Sequence, residues 1–112
     1  MNVSDLGPKV VLRETFSMAY LKRVTSQGGT YVLTNFSGEI LYIGVTNNIK
    51  RRMKEHLNSE KYSVVTPQGA SYWFYYRVSK EEKCFAIERG WLNQVILSEG
   101  YFPYFNKISS PL

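Results

Sequence analysis

Residues 30–44, TYVLTNFSGEILYIG, constrain the fold more than any other stretch. β-Branched and aromatic residues alternate on both sides of the turn-forming NFSGE, and that combination closes a β-hairpin rather than a helix. The expected strands are 30–35 and 39–44. A third run of the same kind, SYWFYYRV at 71–78, adds a strand. Between them the pattern predicts a helix from about 47 to 58, N-capped by Thr46 or Asn47, and then a loop holding Pro67 and Gly69. A last long helix opens at SKEE, where Ser79 and Glu82 fit a capping box, and stops near Gly100. The fold class expected is α+β: a small three-stranded antiparallel sheet flanked by helices.

A chain of 112 residues builds one domain. Small and polar residues collect at TSQGG, 25–29, and this seam separates an N-terminal extension, 1–28, from the domain, 29–107; residues 108–112 form a C-terminal tail. Within the extension, LRETFSMAYLKRV places Leu12, Phe16, Ala19 or Tyr20, and Val24 at helical spacing, so a helix packed on the domain is expected. Hydrophobic residues at 44% and aromatics at 15% supply a core and exclude a disordered chain. Lys and Arg number 14 against 9 Asp and Glu, a charge of +5 that favours a polyanionic partner. Cys84 is the only cysteine, which excludes an internal disulfide and a thiolate cluster and suits a reducing compartment. No window approaches the ~20 apolar residues of a membrane span, and MNVSDLGPKVVLRETF lacks a signal-peptide core. A cytoplasmic protein with no membrane partner is the expectation.

Four basic residues and the single histidine crowd into LYIGVTNNIKRRMKEH, 41–56. Laid on a helix at about 100° per residue, Ile49, Met53 and Leu57 form an apolar stripe. Arg51 and Lys54 fall toward solvent, where they and Lys50 are either solvated charge or phosphate contacts. Arg52 and His56, one turn apart, lie at the edge of the stripe and face the sheet. The last helix holds a sharper anomaly. Its apolar face runs through Cys84, Phe85, Trp91, Leu92, Val95 and Ile96, and Glu88 lands in the middle of it. An ionised carboxylate buried without partners costs several kcal/mol, so Glu88 must meet an arginine, several donors or a metal ion. An ion pair with Arg52 and a functional site are both open.

These residues carry a resemblance to the GIY-YIG nucleases. GTY at 29–31 and YIG at 42–44 stand at a family-like interval; NNIKRRMKEH supplies the family's arginine as Arg52 and its His-or-Tyr as His56. Glu88 stands in the place of the metal-binding glutamate, and Asn106 in PYFNK in that of the C-terminal asparagine. Thr30 departs from the family's isoleucine at a position that packs. The resemblance covers residues 29 to about 107, and order and spacing together make it specific.

What the resemblance implies is a metal-dependent DNA endonuclease leaving 5′-phosphate and 3′-hydroxyl ends. Its catalytic residues would be Tyr31, Tyr42, Arg52, His56 and Glu88, with Gly44, Lys50, Arg51, Lys54 and Asn106 on the substrate side. One inward carboxylate suits a single Mg²⁺ or Mn²⁺ per active site, held by Glu88 and waters. Tyr31 would be the base in the field of Arg52 or the metal, and Tyr42 would orient water or a phosphate oxygen. Arg52 would contact the scissile phosphate. His56 would bond Tyr31 or the phosphate, and Asn106 would position a neighbour. The alternative is a non-cleaving nucleic-acid-binding module on the same fold. Targeting to DNA would come from the extension, a homodimer, a targeting protein or DNA structure.

Overall fold

A computed structural model describes residues 1–107; the tail expected at 108–112 lies outside the described residues. Four strands form one antiparallel sheet: β1 (Leu12–Thr15), β2 (Gly29–Thr34), β3 (Ile40–Thr46) and β4 (Trp73–Val78), in the order β1-β4-β2-β3. The helices are α1 (Ile49–Leu57), α2 (Glu60–Ser63), α3 (Glu81–Glu99) and α4 (Tyr104–Lys107).

The hairpin is β2–β3, with Tyr31 opposite Gly44 and Leu33 opposite Tyr42. β2 is flanked on both edges and buried along its whole length, which is why its side chains run as TYVLT without a polar face. Odd positions of β2 meet α1 in a core of Tyr31, Leu33, Ile49, Met53, Leu57, Phe74 and Tyr76. Even positions meet α3 in a second core around Val32, Ile43, Trp91 and Val95, closed by Val3 and Leu6. The stripe Ile49–Met53–Leu57 is buried as its spacing requires, worth about 1.5–3 kcal/mol per side chain.

The sheet has four strands rather than three, and the extension supplies the fourth. Residues 12–15 pair with β4, Leu12 opposite Tyr76 and Thr15 opposite Trp73, and so cover an edge that would otherwise offer unpaired backbone groups. The helix expected across 12–24 is therefore a strand, a bend and a 3₁₀ helix at Met18–Arg23, opened by Ser17, whose hydroxyl accepts from Ala19 N. Phe16 and Val24 enter the α1-side core, whereas Leu12 and Ala19 stay exposed, so the helical spacing was accidental.

Helix starts also differ. The N-cap of α1 is Asn48, whose side chain accepts from Arg51 N at 3.0 Å, because Thr46 still belongs to β3 and its hydroxyl donates to Asn48 O. The Ser79–Glu82 capping box does not form. Ser79 N donates to Gly28 O, which holds Ser79 beside the sheet, and α3 starts after Lys80 with Glu81 and Glu82 in its first turn. Phe85, assigned to the apolar face, is 59% exposed; it lies one step round the helix from buried Cys84. α3 ends as expected at Gly100, in the left-handed region at φ 85°.

Gly29 lies where a side chain cannot: a Cβ there would overlap the carbonyl of Arg77 on β4, while one at Gly90 in α3 meets nothing within 4 Å. Gly29→Ala should lower unfolding free energy in urea by about 1–3 kcal/mol or more. Gly90→Ala should raise it by about 0.5–1 kcal/mol. Equal effects would contradict the strand register given above.

Candidate active site

Tyr31 is at the centre of the site. Gly44, directly across the hairpin, has no side chain, and the Tyr31 ring lies over it; a Cβ at Gly44 would sit 2.5 Å from the Tyr31 hydroxyl and 2.8 Å from the Tyr42 ring. The ring is further held by Phe74, stacked at 5.3 Å between centroids, and by Tyr42 at 6.0 Å. Two residues of α1 meet the hydroxyl. His56 Nε2 is 2.6 Å from it, and Arg52 Nε donates to it at 3.4 Å. The sense of the bond to Nε2 follows the imidazole tautomer: with the hydrogen on Nδ1, Nε2 accepts the phenol's proton. Arg52 also donates to Glu55 at 2.9 Å, and Tyr42 packs on His56 at 5.4 Å.

Burial sets the electrostatics. It raises the Tyr31 phenol well above its ordinary value, helped by neighbouring Tyr42 and opposed by Arg52. Hydrogen bonds to Tyr31 and then Glu55 hold the Arg52 guanidinium firmly protonated. Burial first, then the positive charges of Lys61 and Arg52, pushes His56 down to about 3. The imidazole is therefore neutral at physiological pH and available as an acceptor.

The structure thus brings together Tyr31, Tyr42, Arg52 and His56, on the sheet face covered by α1. Glu88 is not among them. It is half-buried on α3, which packs on the opposite face, and it makes no hydrogen bond or ion pair among the described residues. The ion pair considered between Glu88 and Arg52 is absent; Arg52 is engaged by Tyr31 and Glu55. Burial raises the Glu88 carboxyl, and only neighbouring Arg89 opposes that shift. β3, the edge strand, is contacted by both α3 and α4.

The expected substrate-side residues divide. Lys54 and Arg51 are exposed and Lys50 half-exposed; Arg51 donates to Asn47 at 2.7 Å and lies 3.7 Å from Glu55. Gly44 is buried beneath Tyr31 and makes room for the ring. Asn106 spends both amide atoms on Ile43, accepting from its N–H and donating to its carbonyl at 2.9 Å each. It clamps the edge of β3 between Tyr42 and Gly44. A cavity of about 520 Å³ between Val45, Asn47, Glu81 and Phe85 contains none of the four clustered side chains.

One residue was missed. Lys61 on α2 sets its ammonium 4.8 Å above the Tyr42 ring and 6.0 Å from that of Phe105, with no carboxylate within ion-pair distance among the described residues. Burial lowers its pKa, opposed by Glu60. Only its neighbourhood in space marks it; in sequence it is one more lysine after α1.

His56 should resist protonation. Its folded pKa lies below the unfolded value of about 6.5, so its contribution to stability is complete above that pH and is lost as pH falls toward 3. The imidazole carbon resonances of this sole histidine should stay at neutral-form shifts from pH 8 down to about 4.5. A midpoint near 6.5 in the folded protein would contradict the buried hydrogen bond to Tyr31.

The clustered residues and Glu88 all fall within residues 27–96, the stretch matched by the family model of the GIY-YIG catalytic domain. UvrABC system protein C of Hydrogenovibrio crunogenus (strain DSM 25203 / XCL-2) is 33% identical over 48 residues, which cover 43% of this chain and 8% of that protein. The alignment therefore spans a small part of that relative's length. With more than half of its 112 residues matched by the family model, the chain belongs to the GIY-YIG catalytic domain family.

Proposed function

We propose that this chain is a metal-dependent endonuclease that hydrolyses DNA phosphodiesters with one ion per site, leaving 5′-phosphate and 3′-hydroxyl ends. The observation that carries the reading is the hydrogen-bonded set Arg52–Tyr31–His56: a phenol buried between a fixed cation and a neutral imidazole. Membership of the family supports a nuclease-type function, and the finer mechanism rests on this geometry.

The donor set fits a loosely held ion. Glu88 offers one half-buried carboxylate with no internal partner, and no group of three or more His, Cys, Asp or Glu among the described residues could chelate one. Hard carboxylate oxygen favours Mg²⁺ or Mn²⁺, completed by water and substrate phosphate. When bound, the ion would supply charge to stabilise the departing 3′-oxygen.

The remaining steps belong to the chain. Water placed against the Tyr31 hydroxyl gives its proton to the phenol oxygen as the phenol's own proton passes to His56 Nε2 over the 2.6 Å bond; the free site holds that imidazole neutral, so the transfer depends on the negative charge of a phosphate bound beside Arg52 and Lys61, which offsets the two cations that lower its pKa. The hydroxide so formed attacks phosphorus, the P–O3′ bond breaks, and the 3′-oxygen takes a proton from solvent. A free phenolate is avoided, which matters because burial opposes that anion. Arg52 holds the phosphate. Its ion pair with Glu55 is 42% and 49% exposed and worth about 0–1 kcal/mol, so the guanidinium can turn to a phosphate at small cost. Tyr42 lines the approach, and Lys61 above it adds charge for an adjacent phosphate. Lys50, Arg51 and Lys54 lie along the same helix as weaker contacts to the DNA backbone. The proposed domain is 29–107, with the extension serving as the sheet's outer strand.

Conversion of supercoiled plasmid to nicked or linear forms tests the reading. The wild type should cut with Mg²⁺ or Mn²⁺ and stop with EDTA, and Glu88→Ala should bind DNA but not cut. Cutting by Glu88→Ala at the wild-type rate would remove the carboxylate from the mechanism. No cutting by the wild type with any metal would favour the binding module. Arg52→Ala should lose about 10²–10³ in rate, as for a donor aimed at developing charge. Arg51→Ala should stay within about threefold, since its contacts are exposed and screened; equal losses would sink the assignment of Arg52.

A further inference from the structure

Strand register places a second set of aromatic and basic side chains on the face of the sheet away from Tyr31. Arg13 pairs with Tyr75, and Tyr75 with Val32, so these three share the α3 face, as does Trp73 opposite Thr34. α3 packs on β2 and β3. Over the β4–β1 half of that face lies a groove of about 370 Å³, lined by Ser4, Lys9, Arg13, Phe36 and Tyr75 among others, with no Asp or Glu in its walls.

The groove is built around a stacked ladder. The Arg13 guanidinium lies 3.8 Å from the centre of the Trp73 ring, Trp73 stacks on Phe36 at 6.2 Å and 25°, and Tyr72 meets both rings edge-on at 4.7 and 4.9 Å. Trp73 Nε1 donates to Phe36 O at 3.1 Å, which fixes the indole against the hairpin turn. Two features are left over. Phe36 is 68% exposed and Tyr72 41%, although each is large and apolar in body. The charge is also unpaired: the Arg13 guanidinium makes no hydrogen bond or ion pair among the described residues. Lys9 donates to Ser4 O and Arg77 to Lys9 O, and neither meets a carboxylate. The nearest acids are engaged or turned away, Asp5 and Glu39 in local hydrogen bonds and Glu14 on the α1 face opposite Phe74.

We propose that this groove binds an unpaired nucleic-acid strand, with backbone phosphates on Arg13 and Lys9 and a base stacked on Phe36. An exposed ring beside free cations is the pairing that single strands require, because each base offers a π-face and each nucleotide a charge. A duplex lacks the first of these, its base faces being covered by their neighbours. The face is opposite the one holding Tyr31 and Arg52, so the strand bound here is a different segment from any strand at the tyrosine cluster.

The test is fluorescence anisotropy in EDTA, where cleavage plays no part, with a labelled oligothymidylate about 12 nucleotides long and a duplex of the same length. Phe36→Ala and Arg13→Ala alter exposed side chains and leave the cores intact. Each should weaken single-strand binding roughly fivefold or more, and Arg13→Ala should also lower the salt slope by about 0.7. Binding should quench Trp73 emission while Trp91, fully buried, stays silent. Duplex binding should change less than twofold in either variant. Unchanged single-strand affinity in both variants, or equal losses for duplex and single strand, would overturn the proposal. Displacement of the oligonucleotide by polyglutamate of equal charge, as effective as by unlabelled oligothymidylate, would overturn it in favour of an acidic protein partner.

Discussion

A tyrosine hydroxyl buried between an arginine and a neutral histidine is the interaction around which the domain is arranged. It needs a glycine across the hairpin, since any side chain at Gly44 would occupy the space of the Tyr31 ring. It needs α1 capped by Asn48 so that Arg52 and His56, one turn apart, reach the hydroxyl together while Ile49, Met53 and Leu57 anchor the helix beneath them. It also needs the edge strand held in place, which Asn106 does through both backbone groups of Ile43. Each part is ordinary packing or hydrogen bonding, and together they keep a poorly ionisable phenol in line with a proton acceptor.

β2 divides the molecule into two working faces. Its odd residues belong to the tyrosine cluster and its even residues to the α3 core, so a shift of register by one residue would exchange them and destroy both. Glu88 is placed by the second face, and it is half-buried there without a partner, a costly arrangement for a carboxylate that serves only packing. The N-terminal strand, by pairing with β4, also carries Arg13 to the side of Trp73. One added strand therefore closes an edge and completes a basic, aromatic groove.

Much of this was legible in the sequence where local periodicity and burial agree. The β2–β3 alternation and the α1 stripe are short-range patterns, and the flanking positions of Arg52 and His56 follow from the stripe by geometry alone. The residues that misled are those whose partners lie far along the chain. Leu12, Phe16 and Val24 have helical spacing, but the unpaired edge of β4 outweighs it, because strand pairing satisfies backbone groups that a helix at this place would leave exposed. Ser79 and Glu82 match a capping box, yet the bond from Ser79 N to Gly28 O holds the chain beside the sheet for one residue more. Lys61 and Asn106 gain their meaning only from contacts with Tyr42 and Ile43. The anomaly of Glu88 was visible, but not that Arg52 is engaged by Tyr31 and Glu55 instead of by it.

The most direct measurement of the central claim is the single-turnover cleavage rate of Tyr31→Phe beside the wild type, with DNA affinity measured on the same samples. Removing one oxygen leaves the ring over Gly44 and its stacking on Phe74 intact. The account predicts a loss of about 10²–10⁴ in rate with affinity within about twofold, since only the proton path is broken. A rate within about threefold of the wild type would mean that the buried hydroxyl is a structural tether for His56 and Arg52, and that water is activated elsewhere.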